Sequence, residues 1–569
     1  MKLEKYDRNM LLVVIISTFI NFLAHVYDYV FYKGNFVVNG FSAYYDVPEH
    51  LLYTMELLRS EHPFPNPMAA GFAINYPIGL PLLIAIFVTI TGAPVLQVFR
   101  VFSIILNIFI GLTSYIMVSS LFKNKRIGCY TTFFILFSGG FFWTTYLFPI
   151  LNLGQSGFLY EFLRVEYNYY TSLISVNLFR PLSRTFGFGL FCFYFYFLNM
   201  FLKSKKIKYM LLNGLLLGIL LNTSPGMIIE LFILSIMALL YFKPPLNNSL
   251  RYFLTLLISL FLFSIPLSFE LVAGALTGKT IVGVGRYLSP LFYLPFFGIA
   301  FFLMIIGVLF YPMKEKKIRD FFLLWLAIAL ILANIPLIGT TYQAAIIALL
   351  LANTHVFTLL LNIPVYIFSS LGLVKILDLK PVRWPMRWFS FKRYGILLVV
   401  LTCCFSTLLL IYIRGYKIRA GSMATEEEYN ALMWVRKNTK KDDLFLTFHY
   451  INMEQTEIRG KLVRAGRGHS WVTIIGERRV LLNLKSVFLS RGINRSELVV
   501  IASDIDFIYT STNEQKTIQL LESYSVSYIY VGPDEQEQYE VAMNKFGNQK
   551  YFDNVYLNDL VTIYKLKTT

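Results

Sequence analysis

Long apolar runs separated by short basic segments dominate the first 413 residues. Runs of about 20 apolar residues have the length that a helix needs to cross a bilayer. They recur near residues 9–31, 95–121, 127–148, 184–202, 209–222, 225–242, 252–268, 287–311, 320–338, 355–376 and 394–413. No strand-like alternation interrupts them, and helices satisfy their own backbone groups in lipid. The pattern therefore predicts a polytopic bundle of about 11 membrane-spanning helices.

Two shorter patterns refine this prediction. The apolar segment from Pro77 to Thr91 has about 15 residues, which suits an interfacial or re-entrant helix better than a crossing. We expect this helix on the outer surface. Asn222 to Gly226 contains a Pro–Gly pair, which interrupts helices, so one long apolar run is predicted to fold as a hairpin.

Basic residues cluster between the apolar runs. Lys2, Lys5 and Arg8 precede the first run, and further clusters lie within 123–126, 203–208, 243–251, 314–319 and 380–393. Positive charge on one side of alternating spans is typical of cytoplasmic loops. We predict a multi-pass protein of the plasma membrane with a cytoplasmic N-terminus.

The composition changes after Arg414. Residues 415–569 carry an ordinary density of charge, and they predict an α/β domain on the extracytoplasmic side. Helices are expected at Glu426–Asn438 and Gln515–Ser523, and strands at the β-branched and aromatic stretches 498–501, 527–532 and 561–564. The predicted organisation is thus a mainly α transmembrane module, 1–413, with a first outer loop at 32–94, followed by the α/β domain.

Composition and charge exclude several classes of protein. The chain is 56% hydrophobic and 15% charged, far from a soluble average near 25% charged. The net charge of +18 lies in short clusters between the apolar runs, which argues against nucleic acid as a partner. The four cysteines fall inside predicted spans, so they indicate neither a disulfide framework nor a zinc site.

The first outer loop carries the strongest candidate chemistry. Asp46, Glu49 and His50 lie one turn apart if a helix runs from Val47 to Glu61. Asp46 could then act as a general base, His50 could orient it or bind phosphate, and Glu49 could assist or hold a metal. The alternative is structural, because Asp–Val–Pro–Glu is also a favourable helix start with an acidic N-cap.

A second outer loop and several span ends supply basic groups. The candidates for substrate binding are Arg100, Glu161, Arg164, Arg180, Arg184, Arg286 and His355. Arginine binds phosphate oxygens with two parallel hydrogen bonds, so these residues suit a lipid-linked phosphate. The alternative for each arginine is that its side chain reaches the lipid headgroups without a specific ligand.

These features resemble the GT-C superfamily of polytopic glycosyltransferases. The resemblance is carried by Tyr45–His50 in a long first outer loop, by Asn75–Gly79 before a short apolar helix, and by Arg100 near the outer end of the next span. The tail resembles the extracytoplasmic domain of prokaryotic members, through Tyr429–Asn438, Ile475–Arg479, Tyr528–Pro533 and Ile563–Tyr564.

The resemblance implies a function. It gives Asp46 the catalytic role in moving a sugar from a polyprenyl-phosphate donor to a protein, lipid or glycan acceptor. The second acid of this loop, Glu49, is not adjacent to Asp46. The sequence departs here from members of the superfamily that carry a paired acidic motif. The resemblance therefore leaves two possibilities: the enzyme uses a divalent cation, Mg²⁺ or Mn²⁺, or it uses no cofactor.

Two other functions are alternatives. A transporter or flippase of lipid-linked substrates would need ionisable residues at the centres of several spans, and the spans are nearly free of them. A non-catalytic assembly protein of the cell envelope would not need acidic and basic residues converging over one groove.

Overall fold

The computed structural model describes most of the chain. The described residues are 4–31, 47–58, 78–93, 95–139, 183–224, 226–259, 262, 293–310, 316–338, 354–379, 394–405, 407–408, 426–449, 457–458, 461–462, 471–482, 495–539 and 543–567. The chain divides into two compact units. One comprises Met1–His25, Arg100–Phe269 and Val282–Arg414, and the other comprises Val26–Phe99, Glu270–Ile281 and Gly415–Thr569.

Helices account for most of the described residues before Arg414. They are α1 (Lys5–Phe31), α2 (Val47–Leu58), α3 (Gly79–Thr91), α4 (Val95–Phe122), α5 (Lys125–Phe137), α6 (Ser183–Ser204), α7 (Ile207–Thr223), α8 (Gly226–Phe242), α9 (246–259), α10 (Tyr293–Phe297), α11 (Ile299–Phe310), α12 (Lys316–Ile338), α13 (Thr354–Asp378) and α14 (Tyr394–Phe405). The predicted short helix after Pro77 and the hairpin at Asn222–Gly226 are confirmed as α3 and as the α7–α8 turn.

Four described stretches are long and apolar enough to cross a membrane: Lys5–Leu23, Gln97–Phe122, Thr185–Ser204 and Leu360–Asp378. The other apolar helices are shorter, so the number of crossings stays a prediction. One predicted continuous helix, 287–311, is wrong in detail. Gly298 adopts a positive φ of 56° and separates α10 from α11, a conformation that glycine reaches without steric cost.

Helix α13 lies at the centre of the first unit. It packs against α5, α11 and α12, and every residue from Leu360 to Val374 is buried. Its contact with α11 depends on two glycines. A Cβ atom on Gly307 would lie 1.9 Å from the backbone oxygen of Phe368, and one on Gly372 would lie 1.9 Å from that of Leu303. The two backbones therefore touch, as small residues permit in membrane bundles.

Polar contacts connect the helix ends that carry the basic clusters. At the start of α1, Asp7 accepts hydrogen bonds from Lys125 Nζ (2.8 Å) and the Tyr115 hydroxyl (2.5 Å). Arg126 donates to Asp378 at the end of α13 (2.8 Å). Three further contacts of this kind are Lys203 Nζ to the Ser120 carbonyl oxygen, Tyr241 to Asp320, and Arg319 to Asp320. The described residues of these clusters that make the contacts above thus lie at one end of the first unit.

The tail forms an α/β domain within the second unit. Its elements are α15 (Glu426–Asn438), β1 (Leu444–Leu446), β2 (Glu457–Ile458), β3 (Lys461–Leu462), α16 (Trp471–Ile474), β4 (Arg479–Val480), α17 (Arg495–Thr510), α18 (Glu514–Ser523), β5 (Tyr528–Val531), α19 (Pro533–Gln538), a 3₁₀ helix (Met543–Gly547), β6 (Phe552–Leu557) and β7 (Thr562–Leu566). A five-stranded sheet has the order β4-β1-β5-β7-β6. Strands β4, β1 and β5 are parallel, whereas β7 and β6 are antiparallel.

Most of the predicted tail elements are confirmed, and one is wrong. The helices at Glu426–Asn438 and Gln515–Ser523 are α15 and α18, and two predicted strands are β5 and β7. The expected strand at 498–501 is instead the start of α17. Leu498, Ala502 and Ile505 are buried at helical spacing, while Val499 and Val500 face outward. The helical spacing of buried residues over the whole segment therefore decides its structure, despite the strand preference of its β-branched side chains.

Candidate active site

The helix directly after Asp46 is enclosed nearly all round. In α2, the side chains described from His50 to Glu56 are all buried, although they point to different faces of the helix. An isolated surface helix would bury only one stripe. Two other helices of the second unit bury these side chains. Both α3 and α16 of the tail domain pack against α2.

Contacts with α3 fix one side of α2. Leu51 is buried in α2, as are Leu80 and Ile84 in α3. The Thr54 hydroxyl contacts the carbonyl oxygens of His50 (2.7 Å) and Pro81 (3.4 Å), so a polar group inside this packing is satisfied. His50, a predicted site residue, is 1% exposed in the first part of the helix.

A buried ion pair joins α2 to the tail domain. Arg479, the first residue of β4, donates from Nη2 to Glu56 Oε2 (2.9 Å) and from Nε to Oε2 (3.2 Å) and Oε1 (3.3 Å). Glu56 is 1% exposed, and the Arg479 side chain is 16% exposed. Removing either partner would deprive the other of this buried counter-charge, which is costly inside a protein. The pair therefore fixes the orientation of α2 against the domain that lies 423 residues further along the chain.

The neighbouring residue, Arg478, makes its contacts within the tail domain. Arg478 donates to the backbone oxygens of Arg436 (2.8 Å) and Thr439 (2.6 Å) and to the Thr439 hydroxyl (2.8 Å). These contacts connect the start of β4 to the end of α15. The segment from Trp471 to Arg479 thus contributes one arginine to the domain's own packing and one to the first outer loop.

A polar network lies where parallel strands β1 and β5 end. His449 Nε2 and the Tyr539 hydroxyl contact Asp506 Oδ1 at 2.9 Å and 2.7 Å. Burial acts against the charge of Asp506, but these hydrogen bonds prevail and lower the pKa of its carboxyl group. Glu535 accepts from the backbone nitrogens of Phe448 and Gly532, which closes the loop after β5.

The predicted site residues are only partly covered by the structure. His50 is buried in α2, and Arg100 is half-buried in α4. The side chains of the other candidates lie outside the described residues: Asp46, Glu49, Glu161, Arg164, Arg180, Arg184, Arg286 and His355. Within the described part of the chain, no three or more His, Cys, Asp or Glu side chains form a group that could hold a metal.

Two buried acids, Glu56 and Glu230, were not anticipated as functional. Glu56 and Arg479 form the ion pair, and an acid inside an apolar helix such as VPEHLLYTMELL indicates in retrospect that a partner is needed. Glu230 is fully buried in α8, where Trp325 Nε1 donates to its Oε1 (2.9 Å). Glu230 departs from the expectation that the spans are nearly free of charge. An acidic residue within a predicted apolar span is the sequence feature that could have revealed it.

Comparison with known proteins defines the class of fold. Neither a family model nor a curated protein sequence matches the chain. The arabinofuranosyltransferase AftD from Mycobacteria is similar with a TM-score of 0.57 at 11% identity, over 100% of this chain and 40% of AftD. A second AftD structure, of a mutant, gives 0.54 at 13% identity, over 100% and 42%.

Two other membrane proteins align with lower scores. The archaeal oligosaccharyltransferase AglB from Archaeoglobus fulgidus has a TM-score of 0.46 at 14% identity, over 92% of this chain and 69% of AglB. ArnT from Cupriavidus metallidurans, bound to undecaprenyl phosphate, has 0.47 at 8% identity, over 97% of each chain. Both scores lie below 0.5, the level at which a shared fold is established.

The chain therefore shares the fold of the arabinofuranosyltransferase AftD. This agrees with the GT-C fold that the sequence resemblance implied. The chain spans about two fifths of the length of AftD. At identities this low, structural similarity establishes the fold alone. The function therefore depends on the chemistry of the site.

Proposed function

We propose that the protein is a membrane glycosyltransferase that moves a sugar from a polyprenyl-phosphate donor to an acceptor at the extracytoplasmic face. The observation that carries the proposal is the enclosure of α2. This helix follows Asp46 directly and is held by α3, by α16 and by the Glu56–Arg479 pair. A catalytic carboxylate needs such support, because small displacements of a reacting group cost large factors in rate.

The proposed chemistry begins with Asp46 as general base. Its carboxylate accepts the proton of the acceptor hydroxyl while that oxygen attacks the anomeric carbon of the donor sugar. The bond from that carbon to the phosphate oxygen breaks, and polyprenyl phosphate leaves with the bonding electrons. Cationic side chains are then needed to stabilise the negative charge of the phosphate, and Arg100, Arg180, Arg184 and Arg286 are the candidates. The assay described below, run with and without Mg²⁺ or Mn²⁺, tests whether a divalent cation assists at Asp46 and Glu49.

Replacing Asp46 tests the proposal. We expect Asp46→Asn to lower the turnover number by roughly 10²–10⁴-fold with little change in folding, because an amide cannot accept the proton. The assay uses purified protein in nanodiscs, a panel of polyprenyl-phosphate sugars, and envelope extract from a deletion strain as acceptor. Release of polyprenyl phosphate is measured, with and without Mg²⁺ or Mn²⁺.

A matched control comes from the same loop. Glu61→Gln removes a carboxylate that has no proposed role, and it should keep near-normal turnover. Full activity of Asp46→Asn with the same thermal stability as the wild type would exclude Asp46 from the mechanism. No release from any donor would argue for the transporter or assembly functions instead.

A further inference from the structure

A cavity opens in the first unit at the helix ends that carry the basic clusters. It lies among α4, α6, α8 and α12 and has a volume of about 430 Å³. Its lining comes from the last turns of α4, α6 and α8 and the first turns of α12. At these ends, Lys203 of α6 contacts the Ser120 carbonyl oxygen of α4, and Tyr241 of α8 contacts Asp320 of α12.

The inner wall of the cavity is apolar and firmly supported. Phe195 and Phe322 line it and stack on Trp325 with ring centroids 4.8 Å and 5.4 Å apart. The Trp325 indole is in turn fixed by its hydrogen bond to Glu230. Ala238 contributes a small side chain to the same wall, which leaves room for a guest.

The mouth of the cavity is cationic. Lys203, Lys316 and Lys317 belong to its lining, and none of the described lining residues is acidic. All three lysines are exposed at the surface. Asp320, one turn from Lys316, contacts Tyr241 and Arg319 and does not line the cavity.

We propose that this cavity binds one anionic phospholipid, with an acyl chain between the aromatic rings and the phosphate beside the lysines. An apolar interior and a cationic rim match the two parts of such a lipid, and basic pockets between membrane helices bind anionic headgroups. A lysine that only reached the bilayer surface would need no cavity beside it. Because the predicted topology puts these helix ends in the cytoplasm, the lipid belongs to the cytoplasmic leaflet. None of the described lining residues belongs to the first outer loop, and the proposal does not depend on whether the protein transfers sugars.

Photo-crosslinking tests the proposal in nanodiscs of phosphatidylcholine. The probes are traces of photoreactive phosphatidylglycerol and, separately, photoreactive phosphatidylcholine, with crosslinked peptides identified by mass spectrometry. We expect phosphatidylglycerol to label peptides of α6, α8 and α12. Lys316→Gln with Lys317→Gln should lower this labelling roughly tenfold, since each lysine near an anionic headgroup contributes substantially to binding. Ala238→Leu should lower it with all lysines present, because the side chain fills the cavity.

The matched control is Lys206→Gln with Lys208→Gln. These lysines are exposed near the same helix ends but do not line the cavity. An equal loss in this control, or equal labelling by phosphatidylcholine, would overturn the proposal in favour of general attraction to the surface. Competition by excess inorganic phosphate would overturn it in favour of a free-anion site. If Ala238→Leu fails to fold, the two lysine pairs alone decide.

Discussion

At the scale of single residues, the contact between Glu56 and Arg479 decides how the candidate site is held. Two largely buried charges are stable only when their hydrogen bonds have good geometry, and here the guanidinium contacts both carboxylate oxygens. The pair contributes more to orientation than to net stability, because taking both charges out of water is costly. Its effect on function would be indirect, through the position of α2 behind Asp46.

We predict that Glu56→Gln destabilises the second unit by about 3 kcal/mol, because Arg479 then loses the buried carboxylate that it contacts at 2.9 Å. Unfolding in detergent and hydrogen exchange of residues 47–58 measure the effect. The double variant Glu56→Gln with Arg479→Met should cost less than the sum of the two single variants.

Glu477→Gln is the control for this prediction. Glu477 pairs with Arg436 at 3.0 Å, but both side chains are partly exposed, at 26% and 36%. An exposed pair of this kind contributes less than about 1 kcal/mol. A loss from Glu56→Gln no larger than that from Glu477→Gln would contradict the assigned role of the buried pair.

At the scale of elements, close approach of two helix backbones defines the packing of α11 against α13. Lipid offers no hydrophobic driving force between helices, so their association depends on van der Waals contact and interhelical hydrogen bonds. Gly307 and Gly372 let α11 and α13 touch, and the Ser369 hydroxyl, which donates to the Ala300 carbonyl oxygen (2.7 Å), adds a polar contact at the same interface.

We predict that Gly307→Ala or Gly372→Ala destabilises the protein by about 2 kcal/mol or more, because each new Cβ would overlap a backbone oxygen that cannot rotate away. Thermal unfolding in detergent measures the loss. Gly395→Ala in α14 is the control, since nothing lies within 4 Å of its Cβ position. It should be neutral or slightly stabilising through helix propensity. Equal effects at Gly372 and Gly395 would show that backbone contact does not limit the α11–α13 packing.

At the scale of the whole molecule, the basic clusters predict one orientation in the membrane. Contacts among Asp7, Lys125, Arg126 and Asp378 bring several of these clusters to one end of the first unit. The side of the membrane at which that end lies follows from the positive-inside rule.

We predict opposite accessibility for the basic end and the tail domain. In intact cells, a membrane-impermeant maleimide should label Lys440→Cys but not Lys208→Cys or Lys317→Cys, and permeabilisation should expose the latter two. All three lysines are exposed, and wild-type protein controls for the four native cysteines. The reverse labelling would invert the topology. Labelling of Lys208→Cys and Lys317→Cys from different sides would contradict their placement at one end.

Local patterns were sufficient where one stretch of sequence determines its own structure. The helical spacing of α15, the Pro–Gly turn before α8 and the β-branched strand β5 were all predictable. Predictions were wrong where a wider context decides. Val499 and Val500 lie in a helix because its buried face continues beyond them, and Gly298 divides a run that hydropathy alone treats as continuous.

The amino-acid sequence by itself was sufficient to predict mainly apolar helices before Arg414 and an α/β tail after it. These properties depend on the spacing of neighbouring side chains. Only the tertiary structure decided that Glu56 meets Arg479 and that lysines from α6 and α12 surround one cavity. The physical reason is that the local sequence indicates only that a charged residue within an apolar helix requires a partner. Which residue becomes that partner depends on the distant segments that the fold brings together.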